Sequence, residues 1–135
     1  MLPRMEIADP RQSGVLAALL ALCVAGIADV GEFIATRPGL FTTAPGRVAG
    51  SILGLGLWAA LAATTAGRLR GADGPRSRRT TIGLAALIAL GNLGLTAVHL
   101  KAGVGSARTI AAGVLGVAAL ALALVSLGAP AVRRA

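Results

Sequence analysis

The chain has 135 residues, a net charge of +8 and a mean hydropathy of +0.81; 56% of its residues are apolar and only 13% are charged. Soluble domains carry about a quarter charged residues, so a chain this short and apolar cannot cover its surface for water and is expected to be all-α and embedded in a bilayer. Three aromatics, Phe33, Phe41 and Trp58, offer no stacking platform and argue against nucleic acid despite the positive charge, and Cys23 alone leaves no intrachain disulfide or thiolate metal site.

A hydrocarbon core of about 30 Å takes roughly 20 helical residues. Four apolar stretches reach that length, at about 14–36, 47–67, 80–100 and 107–128, and predict a single four-helix transmembrane domain over 1–135. Arg4 and Arg11 precede the first stretch, as in a secretory leader. Leu22, however, stands before Cys23 where a lipoprotein cleavage site takes a small residue, so the stretch is read as a mature helix. The first span carries two carboxylates, Asp29 and Glu32, on one helix face. Stepping back by turns from them gives Ala25, Ala21 and Ala17, a small-residue ridge expected to face the bundle, because membrane helices approach closely along such ridges.

Pro38, Gly39, Pro45 and Gly46 punctuate the first connection. The second span then presents Gly46, Gly50 and Gly54 at four-residue steps, and Gly50 is expected against a neighbouring helix. The second connection, GRLRGADGPRSRR, reads as a solvated loop whose arginines meet anionic lipid headgroups. In the third span Ala85, Ala89, Asn92, Thr96 and His99 make one stripe. The fourth span offers Gly105, Thr109 and Gly113 as a second small ridge, and the chain ends with Pro130, Arg133 and Arg134.

The first and third spans read alike at an offset of 63: Ala28-Asp29-Val30-Gly31 against Gly91-Asn92-Leu93-Gly94, with Thr36 opposite His99. A tandem duplication of a helical hairpin, giving a 2+2 bundle, is the corresponding expectation. The N-terminus, central loop and tail hold 9 of the 13 Lys and Arg residues, and the other connections hold 4. The positive-inside rule then places both termini in the cytoplasm of a plasma-membrane protein.

That orientation gathers a candidate polar site, Asp29, Glu32, Asn92 and His99, in the outer part of the bundle, with Arg37, Arg47, Lys101 and Arg108 as charge partners. A membrane-embedded charge costs about 2.5–3.5 kcal/mol at a helix centre, so pairing is expected. An ion-paired clamp that fixes helix register is one reading, and a functional site open to the outer face is the other. Asp29 matches Asn92 in the repeat and is expected to hold register. Glu32 matches Leu95 and is expected to act with His99.

The first functional expectation is a non-catalytic subunit or scaffold of a membrane assembly, partnered by lipid and by a membrane protein or further copies of itself. The length and four-span count resemble the small multidrug exporters, which use a carboxylate in helix 1. That resemblance implies a small proton- or cation-coupled transporter, although those proteins surround the acid with aromatics and only Phe33 stands near this one. An intramembrane enzyme or carrier for a lipophilic substrate is the third reading, with an acid and His99 as the proton-handling pair. No nucleophile motif or cofactor fingerprint assigns a catalytic residue or cofactor. Asp29, Glu32 and His99 could offer donors to a divalent ion, yet with one histidine no metal or haem is assigned.

Overall fold

The computed structural model describes residues 10–101, 103 and 107–127. Arg4, Arg133 and Arg134 of the charge count, Gly105 of the second ridge and the end of the fourth expected span lie outside these described residues.

The described residues are helical and contain no strand. Helix α1 spans Pro10–Ala35, the single turn α2 Leu40–Thr43, α3 Pro45–Leu69, α4 Pro75–Lys101 and α5 Ala107–Val125. Helices α1, α3, α4 and α5 are each long and apolar enough to cross a membrane, which makes this a multi-pass membrane protein. Large apolar side chains point outward along all four: Val24, Ile52, Leu90 and Val114 are more than half exposed, as lipid-facing residues are. Helix α1 packs mainly on α3 and α4 on α5; contacts of α3 with α4 and of α1 with α5 close the ring of four. The four-helix bundle is therefore built from two hairpins.

Proline stands at the first described position of three of these helices, Pro10 of α1, Pro45 of α3 and Pro75 of α4. Pro45 and Pro75 occupy the first turn, where a missing N–H costs nothing. Helix α4 consequently starts at Pro75 and takes Arg76, Arg78 and Arg79 into its first turns, which the expected span from residue 80 left in a loop. At the end of α3, Gly71 adopts a φ of +111° that only glycine holds cheaply. The Gly71 N–H reaches Arg68 O at 3.1 Å and the Ala72 N–H reaches Gly67 O at 2.9 Å, a Schellman closure. This turn folds Asp73 back against Arg68.

The core occupies the half of the bundle nearer that turn. Leu19, Cys23, Trp58, Leu61, Ile88 and Ala119 are buried together there. Trp58 is its uppermost large residue, and a Cβ added to Gly26 would overlap its indole. Gly116 lies against Ala89 Cα and Gly113 against Thr96, so glycines let α5 approach α4 closely.

Two sequence expectations about packing are corrected here. The inward stripe of α1 runs Leu16, Leu19, Cys23, Gly26, while Ala17, Ala21 and Ala25 are exposed. The indole of Trp58 fits only where α1 offers Gly26, and that turns the alanine ridge outward. Gly50 does not meet a neighbouring helix: a Cβ there would touch nothing within 4 Å, as at Gly46 and Gly54. All three glycines instead line a cavity.

Candidate functional site

The cavity holds about 820 Å³ above Trp58, between α1, α3, α4 and α5. This is within the range of about 300–1,000 Å³ typical of small-molecule sites. Gly26, Trp58, Ile88 and Leu115 line its deep part, and its α3 wall is bare backbone at Gly46, Gly50 and Gly54. Leu53 on α3 and Leu87 and Leu95 on α4 also line it while staying more than half exposed to the outside. The cavity thus opens sideways between α3 and α4, at apolar depth.

Its mouth is cationic. Phe33, on the same face of α1 as Gly26, is ringed by three guanidinium groups, from the connection after α1, from α5 and from α3: Arg37 at 4.7 Å, Arg108 at 5.4 Å and Arg47 at 5.7 Å from the ring centre. Each cation–π contact contributes about 0.5–1 kcal/mol when exposed. Arg108 alone has counter-ions. Its Nη2 donates to the Asp29 carbonyl at 2.8 Å and forms ion pairs with Glu32 Oε2 at 2.8 Å and Asp29 Oδ1 at 3.1 Å. The two acids of α1 therefore tie α5 to α1. Arg37 donates only to Thr36 Oγ1, at 3.3 Å, and neither Arg37 nor Arg47 makes an ion pair among the described residues.

The remaining polar residues divide between packing and cavity. Asn92 Nδ2 donates to Ala112 O at 2.8 Å, and the single Thr96 hydroxyl proton is shared between Asn92 O, within α4, and Thr109 O, so both residues fasten α4 to α5. His99 lines the cavity, and its Nδ1 is buried without a hydrogen-bond partner among the described residues. Asp29 lines the cavity as well, whereas Glu32 lies outside the lining with its side chain 55% exposed. Lys101 is exposed. No three of the His, Cys, Asp and Glu side chains among the described residues gather into a metal-holding group.

The opposite end carries a network that the sequence reading missed. Arg68, read as part of a solvated loop, has its side chain 0% exposed. Its Nε donates to Asp73 Oδ1 at 2.9 Å, its Nη1 to Ser126 Oγ at 2.9 Å and Thr81 Oγ1 at 3.3 Å, and its Nη2 to Ser126 O at 2.8 Å. Gln12 of α1 donates to the same Ser126 carbonyl and to Asp73 Oδ2. One guanidinium thus caps the end of α5, whose last carbonyls lack helical partners, and joins α3, α4 and α5, while Gln12 brings α1 to the same acceptors. Burial pushes the Asp73 carboxyl up, but the hydrogen bonds and charges of Arg78 and Arg68 outweigh it and hold the group below its ordinary value. Arg70, Arg76 and Arg79 are exposed, as a solvated basic loop would be.

Two signals in the sequence could have pointed to Arg68: its place in the last helical turn before a glycine, and Asp73 as the one acid among five arginines. Comparison with known proteins finds no protein family, curated protein or solved structure that matches this chain.

Proposed function

We propose that the protein is a non-enzymatic membrane carrier or receptor that takes the apolar part of a lipophilic molecule out of the bilayer into the cavity above Trp58. The observation that carries this reading is the cavity itself, apolar below, polar at the mouth and open sideways between α3 and α4. A subunit that served only to pack against other proteins would have no need of such a void, because membrane helices associate by close van der Waals contact. A cation-coupled transporter would draw on Asp29 or Glu32, and both are held by Arg108.

The reading includes an orientation. The 9-to-4 split of Lys and Arg supports both termini in the cytoplasm and the cavity mouth at the outer face of a plasma membrane. Cysteines placed at Thr42 and Arg76, both exposed, report it through an impermeant thiol reagent on intact cells, with little background from the buried Cys23. Labelling at 42 alone is expected, and labelling at 76 alone inverts the orientation.

Native mass spectrometry of the protein released from lipid nanodiscs tests the binding reading. A retained lipophilic molecule at one per chain, lost in Gly54→Leu, is expected. A stable heteromeric complex with no retained molecule returns the protein to the subunit class.

A further inference from the structure

We infer that the ligand of this cavity is a single-tailed anionic amphiphile, a carboxylate or phosphate monoester on one apolar chain, whose head is held by Arg37 and Arg47 while its tail descends toward Trp58. The inference rests on the proposed reading of the cavity as a ligand site. Three guanidinium groups, from the connection after α1, from α3 and from α5, converge on Phe33, and like charges brought together in this way repel unless an anion lies among them. The protein's own acids do not meet that need evenly. Asp29 and Glu32 both go to Arg108, leaving Arg37 and Arg47 without a carboxylate among the described residues.

Both of these free guanidiniums sit on the cavity lining rather than on the lipid-facing side. Their planar forks suit a carboxylate or phosphate better than any neutral head. His99 adds an imidazole to the lining of the mouth. The tail follows from the lower half: below the level of Asp29 and Asn92 the lining is leucine, isoleucine, glycine and one indole, with no carboxylate deeper than Asp29. A volume of about 820 Å³, of the size that takes one drug-sized molecule, favours one chain over a two-tailed phospholipid. The exposed rim of the cavity at Leu53, Leu87 and Leu95 gives that chain a way in from the bilayer while its head stays at the interface.

Trp58 makes the inference measurable, since it is the only tryptophan, there is no tyrosine, and it is 2% exposed beneath the cavity. The full chain is reconstituted in phosphatidylcholine nanodiscs and its emission is titrated with three dibrominated single-chain probes of equal length: a fatty acid, the fatty alcohol and the trimethylammonium analogue. Bromine quenches on contact, so lipid outside the bundle leaves Trp58 bright.

The expected result is saturable quenching by the fatty acid at roughly a tenth of the concentration the alcohol needs, and no saturation by the cation. Arg37→Gln combined with Arg47→Gln, which touches no ion pair, brings the acid to the level of the alcohol and leaves the alcohol unchanged. Equal quenching by all three heads overturns the anionic assignment but keeps the cavity reading, whereas no saturable quenching by any probe overturns the cavity reading itself. A dibrominated phosphatidylglycerol that quenches as well as the fatty acid overturns the single-tailed assignment.

Discussion

Each end of the bundle holds an arginine that meets acids, and the two arginines do opposite things. Arg68 is sealed from solvent, uses all three of its nitrogens and reaches α4, α5 and the Asp73 turn. Arg108 is 32% exposed and makes its described bonds to α1 through one nitrogen. Beneath Arg108 lies a cavity; above Arg68 lies a packed core. The contrast shows that an ion pair in a membrane protein takes its meaning from what surrounds it. Satisfied on every side it fastens helices together, and beside a void it leaves neighbouring cations free for something else.

The largest effect is expected where burial is deepest. Arg68→Ala removes the bonds to Asp73, Thr81 and both Ser126 oxygens, leaving Gln12 and Arg78 to hold Asp73 and Gln12 the Ser126 carbonyl, and should cost about 2–3 kcal/mol in reversible denaturation in detergent. Arg108→Ala, at a half-exposed pair, should cost about 1 kcal/mol or less. Equal losses would erase the contrast between the ends.

Next in size is Gly26→Ala. Its methyl group drives into the Trp58 indole and should cost about 1–3 kcal/mol by overpacking, with a shift in Trp58 emission. Gly50→Leu, by contrast, should melt with the unsubstituted protein, because open space receives the side chain. A large loss at Gly50 and none at Gly26 would place the packed and hollow halves the wrong way round.

A smaller effect depends on pH. Asp73 in the folded protein titrates below its ordinary value of 3.8. Its stabilisation is therefore complete above that value and fades as the pH falls through the lower folded value. Melting temperatures taken from about pH 5 down to pH 2 should drop for the unsubstituted protein. Asp73→Asn should start lower and lack this part of the slope. Parallel curves would mean that Asp73 carries no linked proton.

The smallest effect separates the two acids. Glu32→Gln leaves Arg108 its Asp29 contacts, so stability and ligand affinity should change little. Asp29→Asn alters the cavity lining directly and should change affinity for a charged ligand more than Glu32→Gln does. The reverse order would restore the sequence expectation that Glu32 is the working acid.

The four spans were legible because length and hydropathy alone decide them in a bilayer. Which face of each helix turns inward was not. In lipid the outside is as apolar as the inside, so Ala17, Ala21 and Ala25 looked like a contact ridge when the contact belongs to Leu16, Leu19 and Cys23. Glycine spacing misled at Gly46, Gly50 and Gly54 for a related reason. Glycine announces bare backbone, but only the neighbouring helix determines whether that backbone is packed or left open. Arg68 went unseen because charge counting treats every loop arginine as a marker of topology. Gathering the polar residues into one region was within reach of the sequence, since the charged residues of two hairpins end at the same level. Their division into Arg108 with its acids and Arg37 with Arg47 required the coordinates.

The hollow half is the centre of this account, and Trp58 emission tests it directly. Titrating the reconstituted protein with a dibrominated fatty alcohol, which has no charge for the arginines to attract, isolates the cavity from its mouth. Saturable quenching is expected in the unsubstituted chain, and its loss in Gly54→Leu, whose side chain fills the space above the indole while the helices stay folded. Identical quenching curves for the two proteins would contradict it.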